Sequence, residues 1–293
     1  MTSWEGKSKG TKIGYGIFIF ILRKFGVIPA YVLLRIVALY YVIFSLRTSA
    51  IMLDFFRRRI GLSKFRSFIK LYRNYYLFGQ SLIDKIVLMS GIPNRLTFNF
   101  EGEENLRKIV SMGRGGILLS AHIGNWEIAG FLLKRLKIKF NIVMYDGEQK
   151  QIKEYLERIV GERGFNIIVI REDISHVYQI INALSHNEIV CIHADRFLDN
   201  HRTISAEFLG KKANFPLGPF LLASRLKVPL SFVFAVKEST YHYHFFASDI
   251  KEFVTTNKNI ALDRIFSDFI TELENKIKRY PEQWYNYYNF WTA

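Results

Sequence analysis

Residues 115–127 read GGILLSAHIGNWE, and this stretch decides the fold. The run Gly116, Ile117, Leu118, Leu119 is short and wholly apolar, with glycines before it and a second turn-former pair, Gly124-Asn125, soon after. That pattern predicts a buried strand over 115–121. His122 and Glu127 then stand five positions apart. On an unbroken helix each residue turns about 100°, which would point the two side chains roughly 140° away from each other. They can meet only if the backbone turns between them, and Gly124 and Asn125 suit such a turn. A carboxylate on one ring nitrogen of a histidine leaves the other nitrogen to take a proton from a hydroxyl. The stretch therefore predicts strand, turn and helix, with a general base at the turn.

Working outward, short apolar runs alternate with helical patterns of ten to thirteen residues. Strands are expected at 97–101, 140–145, 166–170 and 188–193, and helices at 103–112, 127–136, 150–161 and 174–184. Further on come a helix over 215–226, a strand pair at 230–236 and 241–247, and a helix over 260–278. This alternation predicts an α/β fold, a mostly parallel central sheet flanked by helices. No internal repeat and no low-complexity linker divides it.

The first part of the chain has a different character. Residues 13–22 and 27–46 are apolar, and Arg35 is the only charge in the second run. No small-residue cleavage site follows the first run, so it does not read as a signal peptide. An N-terminal helical membrane anchor is expected over 1–50, either spanning or lying along one leaflet. Residues 51–293 then form the second unit, with basic amphipathic helices at 51–92 and the α/β core at 93–293.

Charge follows the same division. The net charge is +15, and residues 1–100 hold 16 Lys/Arg against only Glu5, Asp54 and Asp84, so +13 of the excess lies there. A basic foot beside an aromatic share of 16% suits an anionic lipid surface better than a nucleic acid. The same foot would attract an acidic protein partner. Cys191, the one cysteine, sits in the apolar run Ile189-Val190-Cys191-Ile192 and reads as a core residue.

In open α/β sheets, ligands bind beyond the carboxyl ends of the strands. His122, Arg171 and the pair Asp195-Arg196 each follow such an end, which places them on one edge. His242 and His244 share a strand face but have no acidic or thiol residue at ligand spacing, so they read as wet-face histidines and not as a metal site. His193 reads as a core histidine near the site. The aromatic cluster from Trp284 to Trp291 reads as packing or interfacial anchoring.

The runs AHIGNWE (121–127), GPFLLASRLKVPLSFVFAVKE (218–238) and YPEQWYNYYNFW (280–291) resemble the lysophospholipid-acyltransferase-like superfamily. More closely, they resemble the lipid A biosynthesis late acyltransferases, the lauroyl and myristoyl transferases. The resemblance implies an enzyme on the cytoplasmic face of the inner membrane that moves a fatty acyl group from acyl carrier protein to a hydroxyl of a lipid A precursor. It implies His122 as catalytic base and Glu127 as its acidic partner. Arg171, Asp195, Arg196 and Asn125 become substrate-binding residues. No metal or other cofactor is implied, because the thioester donor is already activated. Many family members have Gln where this chain has Arg196. Alternatives are the same chemistry on an amino lipid or aryl pigment lipid, a hydrolase using water, or a non-catalytic membrane scaffold.

Overall fold

A computed structural model describes residues 12–126, 128, 139–145, 166–171, 173–197, 201–252 and 258–291. The helices expected at 127–136 and 150–161, and with them Glu127, lie outside the described residues.

The chain opens with α1 (Lys12–Phe25), α2 (Val27–Phe44), α3 (Leu46–Asp54), a π-helical turn at Phe55–Arg59 and α4 (Lys64–Met89). Pro29 is tolerated because it falls in the first turn of α2, where a backbone N–H has no helical partner to lose. Among the described residues, α2 alone is long and apolar enough to cross a membrane. It also packs along its length: Ala30, Tyr31, Leu34, Ala38 and Val42 are buried, at helical spacing, against α4 and the body of the protein. Its opposite side leaves Ile28, Val32, Ile36, Leu39, Ile43 and Phe44 exposed. Residue 50 therefore does not separate two cores, because Ala38 and Val42 belong to the same apolar cluster as Trp284 and Phe269.

The sheet strands are β1 (Thr97–Glu101), β2 (Gly116–Ser120), β3 (Phe140–Tyr145), β4 (Asn166–Ile170), β5 (Ile189–His193), β8 (Leu230–Lys237) and β9 (His242–Ala247). Their spatial order is β1-β9-β8-β2-β5-β3-β4. Every neighbouring pair is parallel except β8 with β9, the expected strand pair, which is antiparallel. The sheet is thus mostly parallel and covered on both faces, as the uninterrupted apolar strands require. On one face α5 (Glu103–Ser111) sets Leu106 and Ile109 against Leu118, Phe140 and Ile189. The other face meets α7 (Leu217–Leu226), α8 (Lys258–Arg279) and the C-terminal aromatic residues. The remaining described helix, α6 (Ser175–Ser185), runs from near the end of β4 toward β5.

One element is absent from the sequence reading. β6 (Thr203–Phe208) and β7 (Lys211–Pro216) form an antiparallel hairpin outside the main sheet, turning at Leu209-Gly210 with both residues at positive φ. Residues 215 and 216, expected to open a helix, instead close this strand, and α7 begins at Leu217.

After α8 the chain makes a single 3₁₀ turn at Pro281–Gln283 and then lays Trp284, Tyr285, Phe290 and Trp291 into the interior. Asn74 of α4 donates to the carbonyls of Glu282 and Trp284 at 3.0 and 3.3 Å, and Lys70 and Arg73 pair with the Glu282 carboxylate. The aromatic cluster is packing, and its position bears directly on the site.

Candidate active site

β2 ends at Ser120, and two residues later the chain reaches His122. The turn that follows has the geometry its glycine anticipates. Gly124 sits at φ +69, and a Cβ there would lie 1.8 Å from the Ala235 carbonyl oxygen. That close approach lets the Asn125 amide donate to the same carbonyl at 2.7 Å. The C-terminal segment holds the other side: the Gly124 amide donates to the Gln283 carbonyl at 2.8 Å, and the Tyr285 amide to the His122 carbonyl at 3.0 Å. The turn is therefore clamped between β8 and residues 283–285.

β5 lies beside β2 with Ser120 opposite His193, so the residues just beyond the two strand ends emerge together. Asp195 reaches His122 twice, through Oδ1 to ring Nδ1 at 2.7 Å and through Oδ2 to the backbone amide at 2.9 Å. The side chain is fully buried, Trp284 Nε1 lies 3.4 Å from Oδ2, and the Tyr288 hydroxyl donates to the Asp195 carbonyl at 3.1 Å. Burial alone would raise the pKa of this carboxyl. The charge and hydrogen bond of His122, together with Arg196, outweigh it and hold the group below the ordinary carboxylate range. An ionised Asp195 can only accept, so the neutral ring carries its proton on Nδ1 and its lone pair on Nε2.

A second histidine completes the arrangement. The His193 ring packs on His122 with centroids 4.5 Å apart and on Trp126 at 4.8 Å. Its Nδ1 is buried with no hydrogen-bond partner among the described residues. Burial, reinforced by His122 and Arg196 and opposed by Asp195, holds this ring well below the usual histidine value and keeps it neutral at pH 7. Where the sequence suggested a core histidine, the structure places one against the candidate base.

Among the described residues, His122, His193 and Asp195 are the one group whose potential ligand atoms lie within 4.8 Å of one another. A cation there would compete for the atoms of the His122–Asp195 hydrogen bond.

His193 and Trp126 also line an apolar cleft of about 720 Å³, counting space open to solvent, whose walls include Cys191, Ile142, Val233 and Phe245. Burial pushes the Cys191 thiol up to about 12, so it is a protonated wall residue and not a nucleophile.

The other expected site residues fall in different places. Asn125, expected to contact substrate, is buried; it donates to the Ser81 carbonyl at 2.9 Å and accepts from the Ile128 amide at 3.4 Å. It shapes the turn. Arg196 is half-buried and donates to the Tyr285 carbonyl at 2.6 Å. Arg171 is exposed beyond β4, and β3 separates that edge strand from β5, so it stands off from the His122–Asp195 pair and does not join it. His244 does have acidic neighbours: Glu101 stands 3.4 Å from one ring nitrogen because β1 pairs in parallel with β9, and Glu238, six residues earlier in the chain, stands 3.3 Å from the other.

Two curated phosphatidylinositol mannoside acyltransferases resemble part of the chain. That of Mycobacterium tuberculosis is 28% identical over 127 residues, 42% of this chain and 39% of its own length. That of Mycolicibacterium smegmatis is 27% identical over 124 residues, 41% of this chain and 40% of its own. The chain thus matches about two fifths of the length of these relatives. The solved 1-acyl-sn-glycerophosphate acyltransferase of Thermotoga maritima is 15% identical, with a TM-score of 0.36 over 82% of this chain and 95% of that one. A family model matches residues 73–292, three quarters of the sequence and the whole of the sheet and its clamped turn, and the chain belongs to the bacterial lipid A biosynthesis acyltransferase family.

Proposed function

We propose that this protein transfers a fatty acyl group from an acyl-carrier-protein thioester to a hydroxyl of a membrane glycolipid, a lipid A precursor first among them. The observation that carries the reading is the His122–Asp195 contact, with His193 and Trp126 joining it to an apolar cleft. His122 Nε2 takes the acceptor proton as the hydroxyl oxygen attacks the thioester carbonyl. The C–S bond then breaks, and the imidazolium returns the proton to the departing thiolate. Asp195 keeps the ring in the required tautomer and offsets the charge that forms on it. Glu127 remains assigned, from the resemblance, as an acidic residue of the same site, with Asp195 on the ring nitrogen, and Arg171 and Arg196 as sites for phosphate on donor or acceptor.

The cleft suits an alkyl chain, because most of its lining is apolar, with Glu101, Glu103, Ser120 and His193 as its polar members. Membrane association follows from the family and from α2, whose outward side is apolar along its length. The basic excess of residues 1–100 suits anionic lipid on the cytoplasmic leaflet, and it suits acidic acyl carrier protein as a partner. The relatives' named substrate is a mannosylated lipid, which favours a sugar hydroxyl over an amino lipid or aryl pigment lipid.

The test incubates purified protein with a mixed acyl-carrier-protein pool and total host lipid, beside His122→Ala, and resolves the lipids by mass spectrometry. The expected result is an acylated lipid A species reduced about 10²–10⁴-fold in the variant. A different acylated lipid would replace the acceptor, and free fatty acid alone would make the protein a hydrolase. No His122-dependent product would make it a scaffold.

A further inference from the structure

Behind the catalytic turn lies a polar cluster that the transfer chemistry does not use. Asp84 of α4 accepts from Tyr31 of α2, Lys237 of β8 and Tyr243 of β9, and all four side chains are buried. Lys237 also donates to the Tyr31 hydroxyl at 3.0 Å and lies over both tyrosine rings. Three stretches far apart in the chain, α2, α4 and the β8–β9 pair, thus meet on one carboxylate.

Such a pair is a poor means of stabilising a core. Removing both charges from water carries a large desolvation penalty, and apolar replacements of similar size are often as stable or better. Its placement suggests another use, since two routes lead from it to the turn. The Tyr243 hydroxyl accepts from Asn125 Nδ2 at 3.5 Å, beside the Asn125–Ser81 bond of 2.9 Å. On the second route, the Lys237 amide and carbonyl are both paired with the Gln283 side chain at 2.8 Å, and the Gln283 carbonyl receives the Gly124 amide at 2.8 Å. The third arm ends at Tyr31, on the helix whose other side is exposed and apolar.

We propose that the Asp84–Lys237 pair, closed by Tyr31 and Tyr243, is the positioning device of the catalytic turn, locking the membrane-facing helix α2 to Asn125 and Gly124. Its residues touch no substrate and act through the orientation of His122. The inference rests on His122 being the reacting base, but its test reads the turn without a lipid substrate.

The experiment compares wild type, the double variant Asp84→Leu/Lys237→Met and the single variant Tyr243→Phe. Each is checked for folding by circular dichroism and thermal unfolding. Each is then treated with diethyl pyrocarbonate, and carbethoxylation at His122 is followed by peptide mass spectrometry, with exposed His186 as internal reference. A released turn should raise the His122 rate about threefold relative to His186 in folded variants. In acyl transfer, kcat should fall on the order of 10²-fold with KM for the donor nearly unchanged, the signature of a base displaced by about an ångström.

Folded variants with wild-type labelling and wild-type kcat would overturn the proposal and leave the cluster as packing alone. If the double variant fails to fold, Tyr243→Phe decides in the same way, since it removes one hydroxyl and keeps the ring against Phe98. If the wild type transfers no acyl group, the proposed function falls, and the labelling ratio still decides this inference.

Discussion

Asp195 holds His122 at two points, the ring at 2.7 Å and the backbone amide at 2.9 Å, so one buried carboxylate fixes both where the residue sits and which way its ring faces. Replacing Asp195 with Asn keeps the shape but puts an N–H donor within reach of Nδ1. The ring then accepts there and carries its proton on Nε2, the wrong tautomer for a base. We expect kcat to fall about 10²–10⁴-fold in Asp195→Asn, with the donor KM little changed. A kcat within a few-fold of wild type would remove Asp195 from the mechanism.

Acid should weaken the fold through His193 and then Asp195. Both groups bind protons less readily folded than unfolded. The unfolded chain takes up a proton at His193 near the ordinary value of 6.5 while the folded chain does not, so stability falls as pH drops below that value. Asp195 adds a second loss as pH passes below its ordinary 3.8. The melting temperature measured from pH 8 to 5 should decline on the acid side, and His193→Phe should flatten that decline. An unchanged slope in the variant would assign the acid loss to other groups.

Gly124→Ala should damage both stability and activity. The backbone has φ +69, and the new methyl would fall 1.8 Å from the Ala235 carbonyl oxygen, so the turn must move away from β8. A loss of roughly 2–4 kcal/mol by denaturant unfolding is expected. Retention of full activity would mean that the turn tolerates displacement.

Bulk in the cleft should shorten the preferred acyl chain. Cys191 is half-buried on the cleft wall, two positions before His193 on β5. Cys191→Phe should move the ratio of kcat/KM for long against short donors by about tenfold toward the short ones. An unaltered ratio would place the acyl chain elsewhere.

The outward side of α2 should bind lipid through apolar contact more than through charge. Ile36 and Phe44 are each 66% exposed there, and a carboxylate at such a position would cost about 2–3 kcal/mol if it enters the hydrocarbon layer. Ile36→Asp and Phe44→Asp should each weaken co-sedimentation with anionic vesicles at least tenfold, whereas raising salt on the wild type should release little. Release by salt alone would assign the binding to the basic residues.

How far the chain announces this arrangement depends on whether the cause is local. The strand before His122, the glycine that must turn after it and the apolar stripes of α2 and α8 follow from residues close together in sequence. The β6–β7 hairpin escaped notice because its turn uses Leu209-Gly210, without the asparagine or aspartate that marks most such turns. The partnership of Asp195 with His122 depends on strand order: β2 pairs directly with β5, although β3 and β4 come between them in sequence. The same order sends β4, and Arg171 with it, to the edge of the sheet. The carboxamide of Asn125 is legible in the sequence as a binding group, whereas its burial is set by the packing of distant elements. Asp84 and Lys237, 153 positions apart, had no local signal at all.

The clamp of residues 283–285 on the catalytic turn also sets a clock. His122 and Asp195 are both made well before Gln283 and Tyr285, and Gln283 follows Asp195 by 88 residues. At typical rates of synthesis that interval lasts about five to twenty seconds. During it the nascent chain has the base and its carboxylate but lacks the brace that closes the turn around them. The His122–Asp195 pair therefore stays unbraced until residues 283–285 are made.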